Sequence, residues 1–175
     1  MSEPNRFLAL FDQVVDQTIA FAELVDRAGY AAVPVDTPAL FLGTRVDKIA
    51  IGALVRHLLL AEAHWFEQVR DVSPGGVIPF PSNAAALEGI PDGAPLLETY
   101  RRSYAERRSQ LEALTEADLT KEIVFAGRRY TVIGFLWTVL GHHSFHLGQI
   151  DLLMRQQGIE PPEYMEWPED QRVLG

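Results

Sequence analysis

The stretch Gly141-His142-His143-Ser144-Phe145-His146-Leu147-Gly148-Gln149 places three of the chain's five histidines within five residues of an apolar segment. Thr131 stands ahead of it as an N-cap, and Gly158 followed by Pro161-Pro162 stands behind it as a stop. The spacing therefore predicts one long helix from Val132 to about Gln157. Residues four apart are neighbours on a helix surface, so the imidazoles of His142 and His146 can address one ion from a single stripe. At about 100° per residue, His146 lies about 40° and His143 about 100° round from His142. Phe135, Val139, Ile150, Leu153 and Met154 span about the same arc, so all three histidines can face a bundle interior. His142 with His146 is the better chelating pair by spacing, and geometry alone leaves His143 with His146 open.

Upstream, a second apolar helix is expected from about Thr44 or Asp47, either of which can cap it, to Arg70. It carries Ile49, Leu54, Leu58, Ala61 and Trp65 on one broad face, and with them His57, which can complete a three-nitrogen set. Ala50, Ala53 and Ala61 share the stripe of His57 and leave room for an ion and a ligand. His64 points the same way but lies roughly 10 Å along the axis, too far to share the ion though able to line a pocket.

The rest of the chain supplies two more helices. Phe7, Leu8, Phe11, Val14, Val15, Thr18, Phe21, Ala22 and Val25 recur at threes and fours, predicting a first helix from Asn5 to about Ala28 stopped by Gly29. The third is expected from Ala94 to Leu114. Tyr30 to Gly43 and Asp71 to Gly93 are long Pro- and Gly-bearing connections. Thr115-Glu116-Ala117-Asp118 has the form of a capped turn, and Glu122 to Tyr130 alternates loosely around Ala126-Gly127 as a small extended excursion. The last thirteen or so residues are expected to dock as a tail. Four amphipathic helices with two long connections describe an all-α four-helix bundle, in which sites are built from inward side chains of facing helices. The length of the first connection suits first and second helices that run parallel. No repeat or second domain is visible, so residues 1–175 are expected to form a single domain.

At 175 residues the chain is long enough to bury a sizeable core unaided, so a bound metal is expected to be functional rather than structural. Cysteine is absent, which excludes disulfides, thiolate zinc sites and a thiol nucleophile of the protein's own. The net charge of -9 repels polyanions, arguing against nucleic acid as partner. The opening MSEPNRFLALFDQ lacks a basic, apolar, small-residue leader pattern, and no run of about eighteen apolar residues follows. A cytoplasmic protein without membrane contact is the expectation.

Neutral imidazole suits Zn, Ni, Cu and Fe(II), and three such ligands leave a position for water or substrate. With no protein carboxylate on the ion, a bound water should acidify toward a pKa of about 7, and a bound thiol should become thiolate. Arg101, Arg102, Arg107 and Arg108 could grip an anionic cosubstrate, but interleaved with Glu98, Glu106 and Glu112 they better fit a solvated helix face. Trp65, Trp137 and Tyr130 could touch a ligand, but at helical spacing they better fit the core. Gln149, close in angle to His142, can orient a ligand or a bound water, or else bond helix to helix.

These features together resemble the DinB-like superfamily of small metal-binding four-helix bundles, which includes maleylpyruvate-isomerase-like and bacillithiol-transferase-like members. The resemblance spans most of the chain. It rests on Ile51-Gly52-Ala53-Leu54-Val55-Arg56-His57-Leu58, on Ala61-Glu62-Ala63-His64-Trp65, and above all on His146-Leu147-Gly148-Gln149-Ile150 within the pattern His142-xxx-His146. Leu153 to Gly158 and Pro161-Pro162 extend it. The resemblance implies an up-up-down-down bundle with two long connections and its first two helices parallel, and a divalent ion, zinc or nickel before iron or manganese, on His57, His142 and His146. It also implies a homodimer and a small-molecule substrate, with transfer of a low-molecular-weight thiol as the activity of characterised relatives. His64 and His143 lie outside the core pattern and, with Gln149, are candidates to support the ion or to act as a base.

Overall fold

In the computed structural model, which describes residues 2–39 and 41–163, four long helices follow the expected order. Helix α1 spans Glu3–Glu23 and opens on Ser2, whose hydroxyl accepts the Asn5 amide. It ends earlier than expected. Asp26 accepts the amide of Gly29 at 2.7 Å and starts a separate short helix, α2 (Arg27–Ala31). Gly29 is thus a packing residue rather than a stop, since a Cβ there would strike Val25 and the Gln157 side chain. Helix α3 runs Ile51–Asp71. Neither Thr44 nor Asp47 caps it: a 3-10 turn at Val46–Lys48 intervenes and Ala50 precedes the first turn.

Helix α4 spans Ala94–Glu112, and the turn after it is a short helix, α5 (Glu116–Thr120), closed by a reciprocal capping box between Thr115 and Asp118. The extended excursion is a hairpin of β2 (Glu122–Phe125) and β3 (Arg128–Thr131), turned by Ala126 and Gly127, both at positive φ as a tight two-residue hairpin demands. From the second long connection, β1 (Val77–Ile78) pairs parallel to β2, so the bundle carries a three-stranded sheet. Thr131 caps α6 (Val132–Gln156) by accepting the Gly134 amide, and Gly158 follows it at φ 72°. Of the expected C-terminal tail, all beyond Glu163 lies outside the described residues.

Paired contacts give the helix directions. Glu62 meets Tyr100 and Glu67 meets Arg107, so α3 and α4 run parallel. Glu3 meets Trp137 and Thr18 meets His143, so α1 and α6 run parallel. Asp12 meets Arg108 while Glu23 meets Arg101, which sets α1 against α4. Going round the bundle from α6 through α1, α4 and α3, the directions read up, up, down, down. Along the chain, however, the first two long helices are antiparallel. The long connection that carries the chain back the length of the bundle, allowing a parallel pair, is the one between α3 and α4.

Phe7, Phe11, Val15, Ile19 and Ala22 of α1 meet Ile51, Val55, Leu58, Phe66 and Val69 of α3 in one core with Phe135, Val139, Ile150 and Met154 of α6. At about 25 cal/mol per Å² this apolar burial is the main favourable contribution to folding. Among the described residues no helix is long and apolar enough to cross a membrane.

Candidate metal centre

Helix α3 presents His57 and α6 presents His142 and His146 to a common point. The Nε2 atoms of His57 and His142 lie 2.9 Å apart, and those of His142 and His146 lie 3.2 Å apart. The three side chains offer nitrogens all within 4.8 Å of one another. His57 is exposed and the other two are half-buried, so the set is open to solvent on the α3 side. Metal-nitrogen bonds of about 2.0–2.1 Å require donor atoms about this close together.

The donor chemistry also fits a cation. Gln149 Oε1 accepts from His146 Nδ1–H at 2.6 Å, which leaves Nε2 with its lone pair aimed at the other two rings. Burial first, then the neighbouring His146, His57 and His143, lower the pKa of His142 to about 3. His57 is lowered by burial and by His146, and His146 by burial and by His143, with the Gln149 hydrogen bond opposing. All three imidazoles are therefore neutral near pH 7, as metal ligation requires. His142 Nδ1 and Trp65 Nε1 are buried with no hydrogen-bond partner among the described residues. The ring of Trp65 stands edge-on to His142 at 5.1 Å, walls the inner side of the set, and is itself backed by Phe125 and Phe135.

These shifts fix a pH dependence. The folded pKa values lie below the unfolded value of 6.5, so below that pH the unfolded chain binds more protons than the folded one. Stability is full above pH 6.5 and falls as pH drops beneath it. Thermal melts of metal-free protein from about pH 7 to about pH 5 are expected to show this decline, and His142→Gln to flatten it. Equal slopes in the two proteins would remove His142 as a cause.

The other residues singled out in the sequence take different places. His143 is fully buried on the core side of α6 and does not join the set. Its Nδ1 meets Glu62 Oε1 at 2.6 Å, and its Nε2 meets Thr18 Oγ1 at 2.8 Å and the Val14 carbonyl at 3.0 Å. His64 Nε2 donates to the Pro79 carbonyl at 3.1 Å, leaving Nδ1 with the lone pair. Of the small residues beside His57, Ala53 is exposed while Ala61 is in the core. The arginines of α4 brace the bundle: Arg108 grips Asp12, Arg101 pairs with Glu23, and Arg107 reaches Glu106 and the Ala63 carbonyl, while Arg102 is exposed. Trp65 is core, Trp137 Nε1 donates to Glu3 at 3.2 Å, and Tyr130 is half-buried against Phe135.

Two features were missed from sequence. Arg56, next to His57, donates to the Asp92 carboxylate and to the Ile90 carbonyl, fastening the second long connection to α3. Glu62 is 2 % exposed; a carboxylate four residues from Leu58 on a buried stripe was the available signal. A cavity of about 480 Å³ between α1 and α6, floored by Leu10, Val14, Phe21, Leu140 and Leu147, opens on the side of α6 away from the histidines.

Residues 10–150 match the family described as the DinB superfamily, four-fifths of the chain and all three histidines included. The chain belongs to the DinB superfamily. The fold agrees with solved structures of DinB-like proteins. One, the DinB-like protein YjoA of Bacillus subtilis, is 21 % identical over 90 % of this chain and 96 % of its own, with a TM-score of 0.64. Another, YfiT of Bacillus subtilis, is 14 % identical over 91 % of each chain, with a TM-score of 0.61, and is described as a probable metal-dependent hydrolase with an unusual four-helix bundle topology. No curated protein matches the sequence significantly. In this DinB-superfamily chain the triad of His57, His142 and His146 can bind a metal ion.

Proposed function

We propose that this protein is a metal-dependent enzyme that transfers a small external thiol to an electrophile, with His57, His142 and His146 holding a divalent ion. The observation that supports it is the convergence of three neutral imidazole nitrogens, joined by no carboxylate among the described residues, at a solvent-open point. Zinc or nickel suits that donor set best, and iron or manganese is a further option. When bound, the ion supplies Lewis acidity, lowering the pKa of a thiol or a water so that a nucleophile exists near neutral pH.

The chain's own residues do the rest. Gln149 fixes the tautomer and direction of His146. Trp65, edge-on to His142 and backed by Phe125 and Phe135, keeps water from the inner side of His142, and exposed Ala53 leaves an approach past His57. Phe145, exposed beside His146 at 5.2 Å between ring centres, offers apolar surface to a substrate. The thiol would give its proton to solvent, its sulfur would form a bond to carbon, and the electrophile's leaving group would take the displaced electron pair, while His64, roughly 10 Å along α3 from His57, would line the approach. The thiol must come from outside because the chain has no cysteine.

The test loads the protein with zinc or nickel and supplies bacillithiol, mycothiol or glutathione with a model electrophile. Metal-dependent conjugate, lost in His57→Ala, is the expected result. Turnover of an ester or amide panel without thiol, with the same metal dependence, would transfer the assignment to hydrolysis, the activity suggested for YfiT. Metal uptake without turnover of either class would leave a metal-organised ligand-binding protein.

A further inference from the structure

We infer that His143 and Glu62 are positioning residues for the metal set, acting through a buried polar clamp that joins all four long helices. The inference rests on the metal-centre reading above and goes beyond it to the residues that set the geometry. His143 of α6 is bonded to Glu62 of α3 at 2.6 Å, to Thr18 of α1 at 2.8 Å and to the Val14 carbonyl of α1 at 3.0 Å. Glu62 passes the connection on through its other oxygen, which accepts from Tyr100 of α4 at 2.7 Å. Phe11 stands edge-on to the His143 ring at 5.3 Å. Thr18, Glu62 and His143 are the buried polar side chains among the described residues, and they form this one cluster.

Its place relative to the ligands gives it a role besides cohesion. Glu62 lies about 7.5 Å along α3 from His57, and His143 about 100° round α6 from His142. The contacts His57 to His142 and Glu62 to His143 are therefore two latches between the same two helices, at different heights and on different faces. Apolar packing is non-directional and lets helices slide or turn slightly, whereas a short hydrogen bond weakens steeply with distance and angle. Turning α6 by about 20° would carry a side-chain tip about 6 Å from its axis through about 2 Å. That is the length of one metal-nitrogen bond. Holding α6 against such rotation keeps His142 and His146 at chelating distance from His57.

The experiment is titration of the metal-free full chain with Co(II), reading affinity and the visible d–d band, with far-UV circular dichroism as the check on folding. Glu62→Gln and His143→Gln keep hydrogen-bonding capacity but change which atoms of the pair donate and which accept, and Tyr100→Phe removes one outer hydroxyl. Glu62→Gln and His143→Gln are expected to weaken Co(II) about 10–100-fold with an altered band, and Tyr100→Phe to act in the same direction more weakly. Leu111→Ala, a core truncation on α4 outside the clamp, is expected to lower the melting temperature while leaving affinity and band as in the wild type. Unchanged affinity and band in the folded clamp variants, or an equal loss in Leu111→Ala, would overturn the inference. If the two glutamine variants do not fold, Tyr100→Phe decides it by the same criterion. A wild type that takes up no Co(II) would instead remove the metal centre, and the inference with it.

Discussion

His146→Ala is expected to abolish stoichiometric metal binding. The ring it removes is the one whose tautomer and direction are fixed from behind by Gln149, and it leaves two imidazoles on different helices. Losing a supporting residue typically weakens a metal site about 10–100-fold, and losing a ligand should exceed that. Elemental analysis of protein purified without an affinity tag reads the result: near one ion per chain in the wild type, and none in His57→Ala or His146→Ala. His143→Gln, by contrast, is expected to retain metal when the ion is abundant. The reverse ranking, with metal kept by His146→Ala and lost in His143→Gln, would mean that the wrong pair on α6 has been assigned.

The largest expected loss of stability comes from His143→Ala. It empties a fully buried site and leaves the Glu62 carboxyl, 2 % exposed, without its partner at 2.6 Å. Breaking a buried pair on one side costs about 3–5 kcal/mol, a large part of the about 5–15 kcal/mol that typically separates folded from unfolded protein. Replacing both partners with apolar residues of similar size, as in Glu62→Leu with His143→Leu, should recover part of the loss, because the orphaned carboxyl is then gone while the Tyr100 and Thr18 hydroxyls lose their partners. Urea melts of the single and double variants measure this. A change below about 1 kcal/mol for His143→Ala would show that water or a rearranged neighbour replaces the ring.

Much of this was legible in the sequence because it rests on local chemistry. Thr131 and Gly158 bracket α6 through their own caps, Thr115 and Asp118 cap each other, and Ala126-Gly127 marks the hairpin turn. The spacing of His142 and His146 is enough to aim both at one point. Other features depend on partners distant in sequence. Nothing near Gly29 says that Gln157 packs against it, so it looks like a stop. Helix periodicity says that His143 faces inward but not that Glu62, Thr18 and the Val14 carbonyl await it there. The length of a connection does not fix helix direction, so the parallel partner of α3 proved to be α4.

The histidines that converge come from positions 85 residues apart, on the second and the last of the four long helices. During synthesis the full set cannot exist until α6 has left the ribosome and docked, so the three-histidine site forms with the fold and not before it. The apolar core that packs α3 against α6 is what brings the three rings together, with the exposed edge of the set at His57. An ion held there would accordingly be chosen after folding, by the supply it meets rather than by the order in which the chain is made.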